Sequence, residues 1–253
     1  QNPCLFAGEQ LEKSIKLTRQ ILDTPEEHDL IVMSRSIMDD LARVDEDSRA
    51  TAQKEATKML AELDTELRPA NLAISGHYPT PSCDVLTLQF DLTRAGMVTT
   101  IYYGPKIEKL DTVKGTEISK LTAAIPGALS KLDNYLLPDE DFIKLLEKAW
   151  KTVALARGGP RGRGPQPILE VMSALCFLRQ TDAFHRNPSR SSFYGYGQTA
   201  LSYQLYKLKS RRMTLGIATR EDVRRKESIW VPRNARGAGN HFATIDFRSP
   251  NNE

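Results

Sequence analysis

Leu86-Thr87-Leu88-Gln89-Phe90-Asp91-Leu92, followed by the β-branched and aromatic run Val98 to Tyr103, is the stretch on which the fold turns. Apolar and polar residues alternate with a period of two, which places one face of a strand inward and the other outward. Thr93-Arg94-Ala95-Gly96 between the two runs has the composition of a turn. The reading is a β-hairpin near 85–103. A two-stranded ribbon is marginal alone and has to pack on helices or another strand.

Upstream, the period is that of a helix. Leu11, Ile15, Leu17 and Ile21 form a short amphipathic pattern over 8–23. Thr24-Pro25-Glu26-Glu27 then has the cap, the first-turn proline and the third-position glutamate of a helix start. The apolar steps, mostly of three and four, through Ile37, Leu41, Val44, Ala52, Ala56, Met59, Leu63 and Leu67 predict a long helix, with a break near 45–50 where Ser48 interrupts the stripe. Pro69, Gly76, Pro79 and Pro81 make a connector to the hairpin.

Downstream, helices are predicted over Ile107–Leu121, Pro126–Leu137 and Asp139–Ala156, the last with Phe142, Leu145, Leu146, Ala149 and Val153 on one face. Ile168–Thr181, apolar on most sides, reads as a central buried helix. Gln198–Arg212 reads as a helix with Leu201, Leu205 and Leu208 inward and Tyr203, Tyr206, Lys207 and Ser210 outward. Ser228–Val231 and Phe242–Asp246 are two short strands joined by Arg233–Asn240.

The fold class expected is mainly α with a small β component: one β-hairpin near 85–103 and a short C-terminal β element. Its C-terminal part would be a winged-helix-like module, with Gln198–Arg212 as recognition helix and Arg233–Asn240 as wing. Three regions follow. Residues 1–157 are an acidic, mostly helical assembly region with a β-hairpin. Residues 158–165, with four glycines and two prolines, are a hinge or loop. Residues 166–248 are a basic region.

Charge gives the functional reading. The 253-residue chain has a net charge of only +3, 40% hydrophobic and 26% charged residues, values of an ordinary globular chain. The balance is uneven: residues 1–150 hold 17 basic and 25 acidic residues, whereas residues 151–253 hold 18 and 7. Fourteen of those 18 are arginines, which grip phosphate with two parallel hydrogen bonds and stack on bases. Such asymmetry points to a polyanionic partner for the basic half. The competing explanation is internal or head-to-tail pairing of the two halves.

Aromatic residues are interleaved with these cations. The glycine-rich loop carries Arg157, Arg161 and Arg163; the next basic loop carries His185, Arg186, Arg190, Phe193, Tyr194 and Tyr196. The following helix adds Tyr203, Tyr206, Lys207, Lys209, Arg211 and Arg212, and beyond it come Arg220, Arg224, Arg225, Arg233 and Arg236. Cations neutralise phosphates and rings accept stacked bases, so the pattern suits single-stranded RNA or DNA. The expectation is a non-enzymatic nucleoprotein, self-associating or binding a protein partner through its N-terminal half.

Three alternatives remain open at this point: a winged-helix-like binder of duplex DNA, a nucleic-acid-processing enzyme, and an oligomeric scaffold without nucleic acid. No catalytic residue, metal site or cofactor can be assigned. The glycine-rich loop lacks the terminal Gly-Lys-Ser/Thr of a phosphate loop, and His28, His77, His185 and His241 have no His or Cys at ligand spacing. Asp139, Glu140 and Asp141 read as the favourable first turn of a helix. Cys4, Cys83 and Cys176 form no disulfide framework. No secretion signal or spanning segment is visible, so an intracellular setting without membrane is expected.

Overall fold

The computed structural model describes residues 13, 16, 27–93, 96–158, 164–209 and 212–247. It corrects the expected class. About 49% of the chain is helical and 23% is strand, arranged as a five-stranded antiparallel sheet in the N-terminal half and a second small sheet. A mainly α description with one hairpin does not fit.

The described residues fall into two compact units. The first draws on Gln1–Pro81, Leu88–Thr100 and Thr112–Ala123, the second on Ser82–Thr87, Ile101–Asp111 and Ala124–Glu253.

Helix α1, Glu27–Leu67, runs unbroken through 45–50. The poor apolar stripe there does not stop it: the segment holds no Gly or Pro, and Glu46, Arg49 and Ala50 favour the helix by intrinsic propensity. Its buried residues are Ala56, Met59, Leu60, Leu63 and Leu67. The helix ends in a single 3₁₀ turn, Arg68–Ala70, closed by Asn71 in the left-handed conformation with φ 56°. Asp64 accepts the Ile74 N–H at 2.8 Å and the Arg68 guanidinium at 2.8 and 3.0 Å. Those bonds hold its carboxyl below the usual range, the Ile74 amide first.

Strands β1 (Ile74–Ser75), β2 (Ser82–Cys83), β3 (Leu86–Thr93), β4 (Gly96–Tyr103) and β5 (Glu108–Lys114) lie side by side in sequence order. The alternation read from sequence holds: Leu86, Leu88 and Phe90 are buried, Thr87 and Gln89 half-buried. The segment expected to be helical from Ile107 is β5 instead. Ile107, Leu110 and Val113 recur every third residue, which mimics a helix. The turn at Gly104–Ile107, with Gly104 at φ 54° and Lys106 at φ 62°, sends the chain back to pair in the sheet. Helix α2, Ile118–Asp133, then passes through Pro126 without ending.

The core of the second unit is built from α3 (Asp139–Ala156), α4 (Ile168–Leu178), α6 (Gln198–Lys207), β8 (Ile229–Pro232) and β9 (Gly239–Asp246). Phe142, Leu146, Trp150, Val171, Leu175, Leu201, Leu205, Ile229 and Ile245 are buried there, each large side chain contributing roughly 1.5–3 kcal/mol. Short helices α5 (Asp182–Arg186) and α7 (Arg220–Arg224) complete the helices described.

Strand β9 is the centre of the second sheet. β7 (Thr214–Ile217) pairs along one edge of it, while β6 (Gln166–Pro167) and β8 share the other, all antiparallel. Both edges are needed because Phe242 partners Ile217 and Ile229 at once. The two C-terminal strands were legible in the sequence; β6 and β7 were not.

The winged-helix reading is overturned with the fold class. A recognition helix needs a free face, but α6 has Thr199 through Leu205 all buried. It is α6, rather than the more hydrophobic α4, that runs through the core. Its polar side chains are accommodated by hydrogen bonds. Gln204 Nε2 donates to the Leu137 carbonyl at 2.8 Å, while its Oε1 accepts the Leu137 N–H at 3.0 Å. Ser202 donates to the Trp230 carbonyl. The loop proposed as wing is tied back as well: the backbone of Arg236 pairs with that of Asp84 in a parallel β-bridge, and a side chain at Gly237 would collide with Ser82.

The segment 158–165 does not separate two units: α3 and α4, on either side of it, belong to the same one. Arg157 and Glu170 are joined by an ion pair across it, and 159–163 lie outside the described residues. Among the described residues no helix is long and apolar enough to cross a membrane.

Candidate nucleic-acid interface

The sequence-predicted site residues separate into three groups. Arg161, Arg163 and Arg211 lie outside the described residues. Of the rest, several are closed to a ligand by burial or by a carboxylate, and a few stand free.

Tyr203 and Tyr196 are 1% and 3% exposed, so neither offers a ring to a base; this corrects the stacking role expected of both. Tyr203 stacks edge-on with Tyr103 at 6.3 Å, and Tyr103 in turn with Trp230 at 5.7 Å. Their hydroxyls are spoken for: Tyr203 donates to Asp133 at 2.8 Å, and Tyr103 meets Ser202 at 2.7 Å. Burial, then the Asp133 bond, pushes the Tyr203 phenol far above its ordinary value; burial does the same for Tyr103 and Tyr196. Gly104 and Gly239 leave room for the Trp230 ring, which lies 2.6 and 2.3 Å from where their Cβ atoms would stand.

Tyr206 is half-buried, with its hydroxyl 3.5 Å from Asp84. Lys207 lies 5.2 and 5.7 Å from the Tyr203 and Tyr206 ring centres. Two carboxylates, Asp84 and Asp133, therefore sit at the same rings as one ammonium. A phosphate arriving there is repelled by both carboxylates as well as drawn by the ammonium.

Other arginines are also neutralised. Arg157 forms a bidentate pair with Glu170. Glu221 accepts Arg224 at 2.7 Å and Arg225 at 2.8 Å, on a stretch from Arg220 to Glu227 that holds four cations and three carboxylates. Lys209 and Arg212 are exposed in the connector after α6, Arg220 at the start of α7, and Arg233 and Arg236 in the loop between β8 and β9. The Lys209 N–H is bonded to Asp139 at 3.2 Å, which occupies part of the acidic first turn of α3.

One surface remains in which rings and free cations meet. At the end of α4, Phe177 is 60% exposed, and Phe193 in the following loop is 49% exposed. With Phe184 and His185 of α5 they make a continuous ring group. Phe177 lies 5.1 Å from His185 and 6.5 Å from Phe184, and Phe184 lies 5.7 Å from Phe193. The contacts are edge-on, and His185 is exposed beside Phe177 and Phe193 while Phe184 is half-buried. Arg186 and Arg190 flank them, exposed and without an ion pair among the described residues. Between Val171 and Thr219 the chain carries seven basic residues against Asp182 alone.

Local structure holds the group in place. Thr181 caps α5 by accepting the Phe184 N–H at 3.3 Å. The buried Gln180 amide donates to the carbonyls of Cys176 at 2.7 Å and Tyr194 at 2.9 Å, and accepts the Tyr194 N–H at 2.8 Å. That pins the far end of the loop. Arg179 lies 4.2 Å over the Tyr196 ring and 5.3 Å over the half-buried Tyr194 ring, and donates to the Tyr135 carbonyl. Tyr194 thus serves as an anchor of the loop. Phe177 was missed in the sequence because it lies in the segment read as a buried helix, and Phe184 was not singled out in the aromatic-rich loop that follows; a signal was present in the Phe, Phe-His, Phe spacing across an arginine-rich, acid-poor segment.

No protein-family model matches this chain, and no significantly similar curated protein or solved structure was found.

Proposed function

We propose that the chain binds single-stranded nucleic acid through the surface formed by Phe177, Phe184, His185 and Phe193, with Arg186 and Arg190 contacting the phosphates. The observation that supports this most is the coincidence of solvent-exposed rings with guanidiniums that form no ion pair among the described residues. Apolar rings left in water have no folding rationale. Single strands, unlike duplexes, present unstacked bases to such rings, each stacked base contributing roughly 1–3 kcal/mol. The reading dispenses with Tyr196 and Tyr203 and places the site on one loop and two helix ends.

The test is fluorescence anisotropy with labelled mixed-sequence RNA and DNA, single-stranded and duplex, across a salt series. Saturable binding that weakens with salt and favours single strands is expected. Phe177→Ala/Phe193→Ala is expected to reduce single-strand affinity about tenfold or more, with a smaller loss on duplex. Unchanged affinity in that variant would remove this surface from the function.

A further inference from the structure

We infer that Ser189 is a phosphorylation site for an arginine-directed protein kinase, and that phosphate there releases the nucleic acid. The inference rests on the function proposed above and adds its regulation.

Ser189 lies in the run Arg186-Asn187-Pro188-Ser189-Arg190-Ser191, every residue of which is exposed. Pro188 removes an N–H and restrains the backbone just before it, and residues 187–197 form no helix or strand. A kinase needs an extended segment with a reachable hydroxyl; one that selects cationic sequences finds Arg186 three residues before the acceptor. The neighbouring serines are less suited. Ser192 is half-buried and donates to the carbonyls of Asn187 at 3.4 Å and Ser189 at 3.2 Å. Ser191 is exposed but has proline, not arginine, at the third position before it.

The step balances without any group from this chain but the hydroxyl. Ser189 Oγ attacks the γ-phosphorus of a kinase-bound nucleoside triphosphate. One O–P bond forms and the bond to the β–γ bridging oxygen breaks. Nucleoside diphosphate leaves, and the hydroxyl proton passes to a base of the kinase.

Two consequences follow at the ring surface. The phosphate brings a charge of about −1.5 to −2 between Arg186 and Arg190, cancelling both cations. It also ends the mutual bonding of the serine hydroxyls, in which Ser189 Oγ lies 3.0 Å from Ser191 and 2.9 Å from Ser192. Ser192 directly precedes Phe193, so the ring's support changes with the charge.

The experiment treats the full chain with a basophilic serine kinase and nucleoside triphosphate, maps the phosphate by peptide mass spectrometry, and repeats the anisotropy titration. Loss of two phosphate contacts predicts an affinity about tenfold lower near 0.15 M salt and a salt slope smaller by about 1.4. Ser189→Ala is expected to take no phosphate at this loop and to bind as the unmodified protein does. Absence of phosphate on Ser189, or full modification with unchanged affinity, overturns the inference. If the unmodified chain binds no strand at all, the proposed function fails and the switch falls with it, whereas binding that persists after modification sinks the switch alone.

Discussion

Two groups of aromatic rings in the second unit share edge-on packing and differ in composition and exposure. Tyr103, Tyr203, Tyr206 and Trp230 are packed edge to edge, with their hydroxyls directed at Ser202, Asp133 and Asp84. Phe177, Phe184, His185 and Phe193 are packed edge to edge too, yet two of them are about half exposed or more. The first group contains the tyrosines that the sequence marks as partners of nucleic acid. The second consists mostly of phenylalanines, the residues least expected at a surface. The difference teaches that a polar handle does not bring a ring outward when the interior supplies a hydrogen-bond partner. A ring with no handle stays outside when the surrounding chain is pinned elsewhere, as Gln180 and Arg179 pin this one.

The comparison breaks first on stability. Trp230→Ala removes a ring packed against Tyr103, Gly104 and Gly239 and is expected to cost about 3–5 kcal/mol in urea denaturation. Phe177→Ala and Phe193→Ala are expected to change that midpoint little, since surface substitutions stay within about 0.5 kcal/mol. Comparable losses at the two groups would mean that both are core. Affinity should divide the other way. Arg186→Glu/Arg190→Glu is expected to lower single-strand affinity by about tenfold or more and to flatten its salt dependence. Arg224→Glu/Arg225→Glu, whose cations already share Glu221, should lower it less. Equal losses would move the interface to α7.

What the sequence revealed, and what it hid, follows the same division. The hairpin was legible because Leu86, Leu88 and Phe90 alternate with polar residues and bury one face. β5 was not, because apolar residues three apart suit a helix and only the returning turn at Gly104–Ile107 excludes it. Helix α6 was given an outward face on the strength of Tyr203, Tyr206, Lys207 and Ser210; hydropathy does not record that Ser202, Tyr203 and Gln204 find hydrogen-bond partners inside. Phe177 was placed in the core for the converse reason, within the apolar run from Ile168 to Leu178. Arg186 and Arg190 were legible as cations in the candidate site, but their freedom from carboxylates depends on which loops fold beside them. The charge asymmetry of the chain was real as composition. It did not reveal that Glu170 and Glu221 pair with three of the arginines it counted, Arg157, Arg224 and Arg225.

The smallest expected effect concerns the buried group alone. Burial raises the phenols of Tyr103 and Tyr203 above their unfolded value, with the Asp133 carboxylate adding to the shift at Tyr203. A raised folded-state pKa means that the unfolded chain gives up its protons first as pH rises. The contribution of these groups is therefore fully present below the unfolded phenol pKa near 10 and is lost above it. Tyr203→Phe removes a hydrogen bond contributing about 1 kcal/mol near neutrality, and it also removes one of the groups whose ionisation favours unfolding. Thermal melts should then show the variant below the wild type at pH 7 and the gap narrowing as pH climbs past 10. A constant gap would mean that Tyr203 ionises as readily in the folded chain as in the unfolded one, which its burial and its carboxylate partner oppose.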